Sequence, residues 1–235
     1  MPVFTVTGDV DPFLHVSLQH GEKIYCESNA MVMMESGLDL KGKVTGGLGR
    51  AIMRKFANGE SFFQQEIEAV RKGGDCLLSP TLPGAVRVVP VGDTQYLLTD
   101  GAFVAASSGV ALNVRMQGIG NALFAQTGGF FVTETGGKGE LAVSGFGSMF
   151  ELDVVPGEEV LIDNSHVVAW DSRLQYSMSA STSKSSGFLG NLVNSQTSGE
   201  GIVLKFSGRG KVFVCSRNRE AFIAELVKAQ FGAQR

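Results

Sequence analysis

The stretch Gly157 to Tyr176, GEEVLIDNSHVVAWDSRLQY, is written three times in this chain of 235 residues. Laid without a gap over Gly21 to Leu40, GEKIYCESNAMVMMESGLDL, it is identical at Gly21/Gly157, Glu22/Glu158, Val32/Val168, Ser36/Ser172 and Leu38/Leu174. A third copy, Tyr96 to Leu112, YLLTDGAFVAASSGVAL, shares Leu97/Leu161, Val104/Val168 and Ala105/Ala169. Each copy reads as apolar strand, polar turn, apolar strand, polar turn, alternating strand, and a spaced repeat of this kind constrains architecture more than any single residue does. The aligned valines Val32, Val104 and Val168 are expected to occupy equivalent buried sites.

Outward from the copies the pattern continues. The start, MPVFTVTGDVDPFLHVSLQHGEKIY, is a hairpin entering the first copy, and SFFQQEIEAV, CLLSPTLPG and AVRVVPV read as further strands and turns. Phe131 to Val143 overlies Ile202 to Val214 as a recurring hairpin. Between strands, Leu48, Ile52 and Phe56 recur every four residues, the spacing of a short amphipathic helix opened by glycines, with Ile119/Leu123 and Leu189/Val193 in the corresponding slots. The tail, Arg219 to Arg235, places Phe222, Ile223, Leu226, Val227 and Phe231 along one side of a helix expected to close the body. The expectation is an all-β fold: a single domain over 1–218 built from three repeats, about 4–80, 81–146 and 147–218, with a C-terminal amphipathic helix over 219–235. The triplicated strand clusters would form a shortened double-stranded β-helix or β-prism-like body.

Composition agrees. The chain is 43% hydrophobic and only 18% charged, and its 31 glycines suit many short strands joined by tight turns. A net charge of −3 gives no global attraction to nucleic acid, which is not an expected partner, or to anionic lipid. Cys26, Cys76 and Cys215 lie far apart in apolar runs and read as buried reduced thiols. The N-terminus has neither a basic nor an apolar leader region, and no run approaches the roughly 18 apolar residues of a membrane span, so a cytoplasmic protein without a transmembrane segment is expected.

Chemistry is sparse. The best acid–base trio would be His166 with Asp163 and Asp171, yet Ala30 and Ala102 hold the slot of His166 in the other copies, which favours a turn histidine. His15 and His20 are five residues apart on a strand pattern and point to opposite faces, which disfavours chelation. GGLGR, Gly46 to Arg50, lacks the complete phosphate-loop pattern. No catalytic, cofactor-binding or metal residues are assigned. From Lys41 to Gly59 there are five basic residues, Lys41, Lys43, Arg50, Arg54 and Lys55, and no acidic one. These five are the candidate surface-binding residues, for an anionic membrane or an acidic protein partner.

The segments MVMMESGLDLKGKVTGGLG, NGESFFQQEI, LSPTLPGAV, YLLTDGAFVAASSGVAL, LIDNSHVVAWD and SGEGIVLKFSGRGKVFV resemble the altered-inheritance-of-mitochondria twenty-four family over roughly Phe4 to Asn218. The resemblance implies a fold similar to the tryptophan RNA-binding attenuation protein and carries over no catalytic residues. It also implies bacterial relatives of undefined activity beside a mitochondrial branch associated with inner-membrane organisation. The reading is a non-enzymatic structural or scaffold protein, homo-oligomeric with a trimer as the candidate stoichiometry, acting at a membrane surface or in a protein complex without a cofactor. The alternative is a small-ligand or RNA-binding module.

Overall fold

The computed structural model describes residues 1–44, 63–117, 130–179 and 203–232. The helical segment expected around Leu48–Phe56, its counterparts around Ile119 and Leu189, and Arg50, Arg54 and Lys55 lie outside the described residues. In chain order the strands are β1 (Val3–Thr7), β2 (Phe13–Leu18), β3 (Lys23–Glu27), β4 (Met31–Met34), β5 (Leu38–Val44), β6 (Phe63–Ala69), β7 (Gly74–Leu78), β8 (Gly84–Val91), β9 (Tyr96–Leu98) and β10 (Phe103–Ser107). There follow β11 (Val110–Gln117), β12 (Phe130–Gly137), β13 (Gly139–Phe146), β14 (Met149–Val154), β15 (Glu159–Asp163), β16 (Val167–Asp171), β17 (Gln175–Ser179), β18 (Val203–Ser207) and β19 (Gly210–Cys215). One helix, α1 (Arg219–Gly232), ends the described chain. The fold is all-β with a short C-terminal helix, as the alternation predicts.

Contacts divide the chain into two compact units of interleaved segments. The first takes Met1–Asp93, Asp100–Asn113 and Thr135–Ser144; the second takes Thr94–Thr99, Val114–Glu134 and Gly145–Arg235. One six-stranded sheet has the order β5-β6-β3-β10-β13-β8 and another has β11-β12-β9-β16-β19-β14, so advancing every strand of the first by six gives the second. A three-stranded sheet, β15-β18-β17, matches the β9-β12-β11 end of that order, and the β4-β7-β2 run of a four-stranded sheet matches β16-β19-β14.

The strands form because apolar residues alternate with polar ones where one face is covered, and run on where both are. In β2, Leu14, Val16 and Leu18 are buried between less buried residues, whereas β10 and β16 are buried at every position. The first unit packs Leu14, Val16, Leu18, Ile24, Cys26, Leu38, Ile67, Cys76, Leu78 and Val104 into one core. In the second, Leu97, Val132, Val167, Trp170, Leu204, Phe206 and Val212 do so. There the Trp170 ring meets Tyr176 and Phe206 edge-on at centroid distances of 5.1 and 5.6 Å, the geometry favoured by aromatic quadrupoles. Burial pushes the Cys26 and Cys76 thiols up to about 12 and raises that of Cys215, and all three are free.

The aligned valines share a backbone feature but not an environment. The β10–β13 pairing slips between Phe103 and Ala105, β16–β19 between Val167 and Ala169, and β4–β7 between Met31 and Met33, so each valine is the extra residue of a bulge. Val104 and Val168 are buried, but Val32 is 54% exposed, against the expectation of three equivalent core sites. The reason is position: β10 and β16 are flanked by strands on both edges, while β4 is the last strand of its sheet.

Two outcomes follow from this packing. Val168→Asp places an unpaired charge in the core and is expected to lower the melting temperature by about 10 °C or abolish the transition, while Val32→Asp shifts it by no more than about 2 °C. Native protein at pH 8 is expected to leave Cys26 and Cys76 unlabelled by a thiol reagent that modifies all three cysteines in denaturant, because burial withholds the reactive thiolate.

Candidate functional site

Four neighbouring strands of the second unit, in the order β9-β16-β19-β14, bring Tyr96, Asp171, Gly210 with Lys211, and Asp153 with Val154 to one end of their sheet. The register pairs Asp171 with Tyr96, Lys211 with Asp153 and Gly210 with Val154. A cleft of about 520 Å³ lies there, lined also by Thr94, Val155, Pro156, Arg173 and Arg209. Close approach makes it possible: a Cβ on Gly210 would stand 2.8 Å from that of Asp171, so only glycine lets the β18–β19 turn pass the carboxylate.

Asp171 is the electrostatic anchor. It is buried, and its Oδ1 accepts hydrogen bonds from the Arg173 amide at 2.9 Å and Nε at 3.0 Å, while Oδ2 accepts from Nη2 at 2.6 Å. Burial alone would raise this carboxyl; the hydrogen bonds and charge of Arg173 outweigh it and hold the pKa below its ordinary value. Nη2 also reaches Thr94 Oγ1 at 3.3 Å, so the guanidinium is fixed while its outer part faces solvent. Lys211 is bound by Glu151 and, at 3.2 Å, by Asp153, and these partners hold its pKa above the usual value. Arg209, exposed at the turn between Gly208 and Gly210, has no ion-pair or hydrogen-bond partner among the described residues. Burial and the neighbouring Asp171 and Glu151 raise the Tyr96 hydroxyl, which therefore stays protonated.

The sequence trio is not assembled here: of its members only Asp171 lines the cleft. Asp163 caps the short 3₁₀ turn Asn164–His166 by accepting the Ser165 amide at 2.8 Å. His166 Nδ1 lies 2.8 Å from the Cys215 carbonyl oxygen, so that nitrogen carries the proton and donates. His15 lies in β2 with its Nε2 3.6 Å from Asp75. Among the described residues no group of three metal-ligating side chains converges.

The basic segment looks different once strands are paired. Lys41 lies in β5 opposite Glu66, and its Nζ contacts Glu68 at 3.2 Å and Asp39 at 3.7 Å; Lys43 pairs in register with Gln64. Linear charge counting missed the acids that β6 supplies across the ladder. It also passed over Arg173, Arg209 and Lys211. A signal was available in the glycine-flanked cation at a hairpin tip, Gly208-Arg209-Gly210, which recurs as Gly137-Lys138-Gly139.

Helix α1 does not cap the body as the apolar stripe suggested. Residues 219–230 are all exposed, including Phe222, Ile223, Leu226 and Val227. The described contacts hold only its first turn: Asn218 Oδ1 accepts the Ala221 amide at 3.0 Å, Asn218 Nδ2 donates to Ser165 Oγ at 2.8 Å, and Phe222 stacks edge-on against Phe146 at 5.1 Å. No helix among the described residues is long and apolar enough to cross a membrane.

A family profile described as "Mitochondrial biogenesis AIM24" matches residues 4–217. The chain belongs to the AIM24 family. An uncharacterized protein of Streptococcus pyogenes serotype M6 is 35% identical over 231 residues, 95% of this AIM24-family chain and 89% of the relative. An X-ray structure of a Streptococcus pyogenes protein superposes with a TM-score of 0.77 at 31% identity, covering 97% of this chain and 100% of the other. Both similarities span the two compact units, in keeping with the all-β fold.

The Asp171–Arg173 pair yields a pH prediction. Its stabilisation is present above the unfolded carboxyl pKa of about 3.9 and is lost as pH falls through the lower folded value. Asp171→Asn is therefore expected to melt below wild type at pH 7, with the gap narrowing as the pH is taken from 4 toward about 2. A gap that stayed constant in thermal melts across that range would contradict the assignment.

Proposed function

We propose that this AIM24-family chain is a non-catalytic cytoplasmic scaffold that assembles with further copies of itself through the apolar side of α1. The observation that carries this reading is a helix of 14 residues exposed along residues 219–230, with four large apolar side chains in water. Isolated helices of about 12–15 residues are marginal in water, and most helical stability in proteins comes from packing an apolar face. Burying a side chain of this size contributes about 1.5–3 kcal/mol when complete, so a surface laid over α1 supplies what the helix lacks.

The charges favour an apolar protein surface over a lipid one. Arg219 and Lys228 balance Glu220 and Glu225, and Lys228 Nζ sits 3.5 Å from Glu225, so the described helix has no net attraction to an anionic bilayer. Lys41, one of the five candidate surface-binding residues, is occupied by Glu68 and Asp39. A second copy offers the same neutral apolar stripe, and stripes of this kind packed around a common axis build closed assemblies.

Size-exclusion chromatography with light scattering on the full chain and on a chain ending at Asn218 tests this. The full chain is expected to elute as an oligomer, a trimer on the stoichiometry read from sequence, and the shortened chain as a monomer that keeps the body's circular dichroism and melt. The same mass for both would exclude α1 as the assembly element.

A further inference from the structure

We infer that the cleft at the β9-β16-β19-β14 end of the second unit is a binding site for a small organic carboxylate, gripped by Arg209 beside Arg173 and resting its apolar part on Val155 and Pro156. No part of this inference depends on the self-assembly of α1.

The charge sign follows from which groups are already satisfied. Three cations line the cleft, Arg173, Arg209 and Lys211, against two acids, Asp153 and Asp171. Asp171 is sealed beneath Arg173 and spends its oxygens on the guanidinium and the Arg173 amide. Asp153 joins Glu151 on Lys211. Arg209 remains, with no partner among the described residues, so the cleft has one uncompensated positive charge and matches a monoanion better than a dianion. Its planar fork pairs with a carboxylate through two parallel hydrogen bonds.

Geometry supports the same ligand class. The Arg173 guanidinium is held in place by Asp171 and Thr94, so its orientation is set before a ligand arrives, which lowers the entropic cost of binding. Arg209 sits on a turn in which Gly208 takes φ +107°, a conformation glycine adopts without strain. Val155 and Pro156 are exposed just beyond β14, giving an apolar ledge beside the cations. About 520 Å³ falls in the range of small-molecule sites, which combine apolar walls with a few fixed polar groups.

The test is a titration of the ¹⁵N-labelled full chain at low ionic strength with benzoate and hexanoate, with benzamide as the neutral counterpart and inorganic phosphate as the more highly charged anion. Saturable shifts are expected at the amides of Arg173, Gly208, Arg209, Gly210 and Lys211 with both carboxylates and not with benzamide. Arg209→Gln, an exposed turn position that should keep the wild-type melt, is expected to weaken benzoate binding about five- to tenfold. Arg87→Gln, in β8 of the first unit, should leave it unchanged. The proposal is overturned if the carboxylates give no saturable response, if benzamide does as well, or if Arg209→Gln binds like wild type. Phosphate binding as tight as benzoate would overturn the assignment to carboxylates with an apolar part.

Discussion

Strand β16 is buried at every residue, and the second unit depends on making that tolerable. Its backbone groups are satisfied by β9 on one edge and β19 on the other, and Val167, Val168 and Ala169 need only apolar neighbours. Asp171 is the exception, since a carboxylate out of water costs several kcal/mol unless it is paired and hydrogen-bonded. Arg173, two residues on, supplies both compensations from a turn just outside the core. Gly210 opposite is free of the side chain that would collide with the carboxylate. The placement of a guanidinium at the rim of the cleft is thus a by-product of how the core closes.

Much of the fold was legible in the residues. Alternation in LHVSL and the apolar runs FVAAS and VVAWD distinguish strands covered on one face from strands covered on both, and the gapless alignment of three stretches sets the bulged residue at the same position in three pairings. The exposure of Val32 was not legible, because an edge strand and a central strand can carry the same sequence and differ only in what lies beside them. The stripe in α1 marks an apolar surface without saying whether the chain itself covers it.

The cleft was harder to see for a related reason. Arg173, Arg209 and Lys211 look like ordinary turn and strand-edge cations, and their convergence exists only after β14, β16 and β19 have paired. Conversely, the basic run that stood out in the linear sequence begins with Lys41, which pairing sets beside Glu68. Charge read along a strand misleads when its cross-strand neighbour holds the opposite sign. The side chains of His166, Asp163 and Asp171, the trio that the sequence disfavoured as an acid–base site, each serve a separate local contact.

The interleaving of the two units bears on how the protein is made. The first unit requires Thr135–Ser144, while the second begins with Thr94–Thr99 yet waits for β16 and β19. A ribosome adding about 5–20 residues per second therefore releases strand β10 well before β13, its partner in the first unit's sheet, has been synthesised. Strands β10 and β8, which both pair with β13, spend that interval with an open edge, the condition in which pairing with another chain competes with correct folding. Neither unit corresponds to one continuous span of the chain, so severing it between Asp93 and Thr94 would not yield two self-sufficient fragments, and successful recovery would require both pieces to fold together.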